Sequence, residues 1–269
     1  MNKPIISRGK ALRNRAEAFQ TQNTSALRGC TELKEEDMKG KGSKVRVFTV
    51  VLVVAVALLI VGVTQARAQD KAEAQALVDK ARITFQSFMS DKNYEYLHNN
   101  IKNVKALLIY PQVLKAGFIL GGSGGTGVLV VRDAKAKDWS QPAFYTIGSV
   151  SFGLQIGGEA AEVIVMVMTQ KAIDSLFTTS VKFGGDTSVA AGPYGAGAKA
   201  NVTADFISYA KSKGLYAGLN LEGSAVDVRE GLNKAYYDKA VTPVQIIVEK
   251  KVSNKGSAKL RETLKKAAK

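Results

Sequence analysis

The stretch "GFILGGSGGTGVLVV", residues 117–131, decides between two fold classes. Its glycines at positions 122, 124 and 127 fit the spacing G-x-G-x-x-G, which in a dinucleotide-binding fold follows a strand and opens a helix. Here the glycines are followed by "VLVV", a run typical of a strand. Because the helix that would hold a phosphate is not encoded, we reject a nucleotide site and predict a tight connection between antiparallel strands, in which glycine supplies positive φ.

The rest of the chain supports this interpretation. From residue 106 onward, short β-branched and apolar runs alternate with glycine, proline and aspartate, as in antiparallel sandwiches and barrels. Helical spacing of apolar residues predicts helices over 70–92, 94–105, 169–177 and 229–238. The predicted class is therefore α+β, with a glycine-rich antiparallel sheet or small barrel and flanking helices.

The N-terminal part contains a segment with the order of a secretory signal. Four basic residues between positions 39 and 46 precede the apolar run 47–63, and Ala66 and Ala68 supply an A-x-A site. We interpret residues 1–37 as a dispensable extension before a true start at Met38, and residues 38–68 as a signal peptide cleaved near Ala68. The alternative is a cytoplasmic tail with an uncleaved anchor, since 17 residues are near the short limit for spanning a bilayer. The predicted location is periplasmic or secreted, at the cell envelope.

Residues 69–239 are then predicted to form one domain, and residues 240–269 a strand-like run (244–248) with a basic tail. The tail carries a net charge of +6, whereas residues 69–239 carry only +2. This distribution argues against nucleic acid as a partner, because a nucleic-acid-binding domain has a basic face on the fold itself. For the tail, two alternatives are open: an exposed mobile segment, or electrostatic docking to anionic lipid.

Few residues suit catalysis. Cys30 lies before the apolar run, and His98 is the one histidine, so metal sites built from several Cys or His are excluded after residue 68. We expect no enzymatic activity, cofactor or metal. A weaker alternative is an enzyme or oxygen-ligand cation site that uses Glu159, Glu162 or Asp186.

The helix predicted over 70–92 has one apolar stripe. It is formed by Ala74, Leu77, Val78, Ala81, Phe85, Phe88 and Met89, with basic residues largely away from it. The stripe fits either a helix packed on the domain core or a helix that meets a membrane surface.

Four blocks resemble a known family. They are "YPQVLKAGFILGGSGGTGVLVVR", "WSQPAFYTIGSVSFGLQIGGEAAEVIVMVMT", "FGGDTSVAAGPYG" and "YAKSKGLYAGLNLEGSAV". In this order they are similar to the signature blocks of the SYLF lipid-binding domain, over residues 75–238, and the export signal indicates a bacterial exported member. The resemblance implies lipid binding, with phosphoinositide preference and, in some members, actin binding among eukaryotic relatives.

For an exported protein, anionic phospholipid is the expected ligand. The resemblance assigns basic positions to Lys115, Lys211 and Lys213, and membrane contact to the N-terminal helix. The predicted lipid-binding residues are Lys80, Arg82, Phe85, Phe88, Met89, Lys115, Lys211 and Lys213. We expect electrostatic capture followed by shallow insertion of Phe85, Phe88 and Met89. The alternative function is a structural or stress-related module that binds envelope proteins.

Overall fold

The computed structural model describes residues 69–117, 120–152, 157–185, 187–195, 197, 202–212, 215–216 and 221–269. The predicted extension and signal peptide lie outside these ranges. The helices in them are α1 (69–90), α2 (Glu95–Asn100), α3 (Gln170–Leu176), α4 (Glu230–Tyr237), α5 (Pro243–Ile247) and α6 (Ala258–Ala267). Short 3-10 turns lie at Lys92–Tyr94 and Lys255–Ser257.

Within these ranges, ten strands form the sheet. They are β1 (Ala106–Gly117), β2 (Leu120–Asp133), β3 (Asp138–Trp139), β4 (Ala143–Phe152), β5 (Gly157–Val167), β6 (Ser180–Lys182), β7 (Val189–Ala191), β8 (Phe206–Ser212), β9 (Leu215–Tyr216) and β10 (Ala225–Val228).

The strand order confirms the α+β class and adds one parallel pair. The main path is β6-β10-β4-β2-β1-β5-β8-β7, with β3 on β2 and β9 on β8. The pairs are antiparallel except β7 with β8. A bridge between Phe183 and Thr187 joins the segments next to β6 and β7, which brings the two ends of the path together and curls the sheet.

Both faces of this sheet are buried. Along β1, Leu108 and Tyr110 pack into one core with α3 and α5, whereas Leu107 and Ile109 pack into the other with α1, α4 and α6. Successive side chains of a strand point to opposite faces, so a sheet covered on both sides requires apolar residues at every position. This explains why runs such as "VLVV" are continuously apolar.

The glycine run lies inside a strand. Residues 121–127 belong to β2; residues 121–126 pair with both β1 and β4, and Gly127 pairs with β4, so the predicted tight connection at these residues is wrong. The β1 register shifts between Ile109 and Gln112, and a Cβ built on Gly127 would lie 2.4 Å from the Ile109 carbonyl oxygen. The requirement for glycine here is close approach of two backbones at a bulge, and positive φ plays no part.

The C-terminal segment also differs from the prediction. Residues 244–248 form most of α5 and its end, where a strand was expected. Thr242 caps α5 in a capping box with Gln245, and Pro243 occupies the first turn, which favours a helix. In α6, Leu260 and Leu264 are 1% and 0% exposed and pack in the same core as α1, so this segment is no exposed tail.

Candidate functional site

The aromatic rings predicted to insert into a membrane lie in the core. Phe85 is 1% exposed and Phe88 is 0% exposed, with Met89 half-buried beside them. The Phe88 ring packs against that of Tyr94, with centroids 4.6 Å apart. The assignment of these rings to a membrane-inserting face is corrected, because insertion would require α1 to leave the sheet. The alternative interpretation, in which the stripe packs on the domain core, is confirmed.

The predicted basic residues are spread over one end of the sheet. Lys80 on α1 and Lys211 on β8 line the same cavity of about 400 Å³, together with Glu162. Arg82 donates a hydrogen bond to the side-chain oxygen of Gln86 at 2.7 Å. Lys115 stands opposite Glu159 in the β1–β5 register. Lys213 lies outside the described residues.

Lys211 holds the end of α1 against β8. Its ammonium lies 3.4 Å from the Asp91 carboxylate and 3.2 Å from the Ser87 hydroxyl, and its side chain is 17% exposed. Burial opposes ionisation of Asp91, but the Asn93 N–H and Lys211 outweigh it and lower the pKa of that carboxyl. Lys211 therefore has a structural partner inside the domain, which reduces its availability for a ligand.

Of the carboxylates proposed for an enzyme site, the two in the described part of the chain lie apart. Glu159 and Glu162 are three residues apart in β5, so they point to opposite faces of the sheet. The Glu162 carboxylate accepts a hydrogen bond from Thr84 of α1 at 2.9 Å, and Asp186 lies outside the described ranges. Within those ranges, no three His, Asp or Glu side chains come together as metal ligands.

The structure assembles a different set of cations, which we call the basic cluster: Lys102, Arg132, Lys137, Lys265 and Lys269. They line one cavity of about 590 Å³ with Asn103, Ala134, Trp139 and Ala268. None of these lining residues is acidic. A concave surface with charges of one sign focuses the field and attracts ions of the opposite sign.

Among the contacts in the described part of the chain, most of the positive charge of the basic cluster has no carboxylate partner. Arg132 donates to the Lys102 carbonyl oxygen at 2.6 Å, which places the guanidinium without neutralising it. The Asp138 carboxylate accepts from Arg261 at 2.8 Å and lies 3.9 Å from Lys265. The structure therefore presents an anion-attracting site that sequence reasoning missed.

The cluster was hard to find in the sequence because its members come from three distant segments. Lys102 follows α2, Arg132 and Lys137 flank the β2–β3 turn, and Lys265 and Lys269 belong to the C-terminal end. The one visible signal was the basic C-terminal segment, where Lys265 and Lys269 are four residues apart.

In the ranges that the structure describes, no helix is both long and apolar enough to cross a bilayer.

Comparisons with known proteins find a family match for part of the chain. Residues 148–267 match the family model described as Ysc84, Las17-binding protein actin regulator. LAS seventeen-binding protein 3 of Saccharomyces cerevisiae is 36% identical over 155 residues, which are 55% of this chain and 33% of that protein. SH3 domain-containing YSC84-like protein 1 of Homo sapiens is 32% identical over 152 residues, which are 55% of this chain and 44% of that protein.

A third relative, an SH3 domain-containing protein of Schizosaccharomyces pombe, is 34% identical over 154 residues, which are 55% of this chain and 35% of that protein. The matched region thus spans 33% to 44% of the length of these curated relatives. The match to the Ysc84 family model over residues 148–267 agrees with the resemblance to the SYLF domain that the sequence blocks carry.

Proposed function

We propose that this protein associates with anionic phospholipid surfaces through the basic cluster. The observation that carries the proposal is the meeting of five basic side chains in one concavity whose lining contains no Asp or Glu side chain. A basic residue near an anionic membrane surface contributes about 1 kcal/mol, and this attraction decays within a Debye length. Lipid binding is also what the resemblance to the SYLF domain implies.

The proposed contact is electrostatic and peripheral. Since Phe85 and Phe88 are held in the core, α1 supplies no large apolar face for insertion in this conformation. Affinity should therefore depend on the surface charge of the vesicle and fall as ionic strength rises.

Vesicle co-sedimentation at two salt concentrations tests the proposal. Replacing Lys265 and Lys269 by Gln should weaken binding to phosphatidylglycerol vesicles by about 30-fold, because two contributions of about 1 kcal/mol are lost. The matched control replaces Lys80 and Lys115 by Gln, which removes the same charge from residues predicted by sequence. Equal weakening by both pairs, or equal binding to neutral and anionic vesicles, would contradict the proposal.

A second candidate function is protein interaction. It is favoured by the burial of the rings that membrane insertion would need, and by the name of the yeast relative, LAS seventeen-binding protein 3. Pull-down from envelope extracts with the wild type and the Lys265→Gln/Lys269→Gln variant separates the two functions. A partner retained by both proteins, without vesicle binding by either, supports this candidate over the first.

Export to the cell envelope is part of the proposal. It is supported by the basic, apolar and small-residue order of residues 39–68. N-terminal sequencing of the protein isolated from the cell envelope should give Gln69 as the first residue, whereas a retained anchor would leave the apolar run in place. We propose no catalytic activity, cofactor, metal, nucleotide or nucleic acid for this chain.

A further inference from the structure

A second cavity, of about 730 Å³, adjoins the basic cluster. The two cavities share Asn103, Arg132, Ala134 and Trp139 in their linings, so they meet along one wall. The volume falls within the range of about 300 to 1,000 Å³ that is usual for small-molecule sites. We call this second space the β2–α5 cavity.

The inner wall of the β2–α5 cavity is apolar. It is lined by Val131, Ile173, Phe177, Ile246, Ile247, Val248 and Val252. Ile246 and Ile247 belong to the domain core, whereas Val248 is 58% exposed. An apolar wall that continues from the core to an exposed valine offers contact to an apolar chain that enters from solvent.

The charged residues of this cavity leave a positive excess near the shared wall. Asp133 accepts from the Ala136 and Lys135 N–H groups, which together with Lys250 at 3.5 Å lower the pKa of that carboxyl, so it stays ionised and paired. Asp138 is bonded to Arg261. Among the ion pairs within the described residues, none involves Lys105 or Lys135.

We propose that the β2–α5 cavity binds the acyl chain of a single-chain anionic amphiphile whose phosphate monoester head lies at Arg132 and the basic cluster. The volume holds on the order of twenty water-sized groups, which suits one acyl chain with its glycerol and leaves no room for two. The adjoining basic cavity lies where a dianionic head would be, and Arg132 belongs to both linings. This inference rests on the proposed function and specifies the ligand class.

Trp139 provides the readout, since it is the single tryptophan and lines both cavities. The full chain is titrated with oleoyl lysophosphatidic acid below its micelle concentration, and tryptophan fluorescence and heat are recorded. Glycerol 3-phosphate is the head without the chain, and oleoyl lysophosphatidylcholine is the same chain with a neutral head. We expect both of these to bind at least tenfold more weakly than lysophosphatidic acid.

The matched variants are Val248→Asp and Leu114→Asp. Both replace exposed apolar side chains (58% and 55% exposed), so folding should survive, which thermal unfolding verifies. Val248→Asp places a carboxylate on the apolar wall and should weaken lysophosphatidic acid binding by tenfold or more, whereas Leu114→Asp, on β1, should leave it unchanged.

Three results would overturn the inference: glycerol 3-phosphate binding as tightly as lysophosphatidic acid, equal affinity for the neutral head, or no effect of Val248→Asp. Vesicle binding is measured on the same samples. Vesicle binding without lysophosphatidic acid binding would overturn this inference and leave the proposed function standing, whereas loss of both would overturn both.

Discussion

Replacing Gly127 by Ala should destabilise the domain because a methyl group has no room there. The new Cβ would lie 2.4 Å from the Ile109 carbonyl oxygen and 2.5 Å from the Tyr110 ring, whereas carbon atoms in good contact are about 3.5 to 4.0 Å apart. Both neighbours belong to the buried part of β1 and cannot swing away. Overpacking of this kind costs about 3 kcal/mol, and the gain from removing a flexible glycine returns about 0.5 kcal/mol.

Gly124→Ala is the control in the same strand. Its Cβ would lie 3.7 Å from the Ile147 carbonyl oxygen, an ordinary contact, so the substitution should be neutral or stabilising by about 0.5 kcal/mol. Equilibrium urea unfolding, followed by the fluorescence of the buried Trp139, measures both variants. The Gly127→Ala melting temperature should fall by roughly 5 to 10 °C. Equal effects of the two substitutions would refute the close-approach explanation.

Three further predictions concern the fold. Phe88→Ala should lower the free energy of unfolding by about 3 to 5 kcal/mol in urea titration, because the ring is fully buried; an unchanged midpoint would show that α1 does not pack on the sheet. Leu264→Ala should cost about 2 to 5 kcal/mol in the same titration while Lys259→Ala costs little, since only the leucine is buried; equal small effects would mean that α6 is not part of the fold. Hydrogen bonds from the Thr169 hydroxyl and from Ser188 hold the pKa of Asp205 below its usual value of 3.8, so its contribution to stability is complete above that value and is lost as the pH falls below about 4. Asp205→Asn should therefore show a shallower loss of stability with acid, and an unchanged slope in pH-dependent unfolding would contradict this assignment.

Much of the local structure could be predicted. The apolar stripe of residues 70–92 indicated α1, and the runs from residue 106 indicated strands, because the periods of 3.6 and 2 are set by short-range geometry. The prediction of a strand over residues 244–248 was wrong. The sequence contains a helix-start signal there, because Thr242, Pro243 and Gln245 form the first turn and capping box of α5.

Most of the candidate site could not be predicted from the sequence. Lys115 and Lys211 matched family positions, but the structure sets Lys115 opposite Glu159 and pairs Lys211 with Asp91. The members of the basic cluster come from three separate parts of the chain, around residues 102, 132–137 and 265–269, and no pattern within one helix or strand connects these parts.

By itself, the sequence determined that the residues after Gly127 form a strand, that this excludes a phosphate-binding helix, and that the blocks resemble the SYLF domain. These conclusions follow from residue types and spacings within a few positions. Only the tertiary structure decided that the glycines serve a close approach to β1, that Phe85 and Phe88 face the core, and that the basic cluster forms. The reason is that burial and charge depend on which distant segments pack together, and that is fixed by the path of the whole chain.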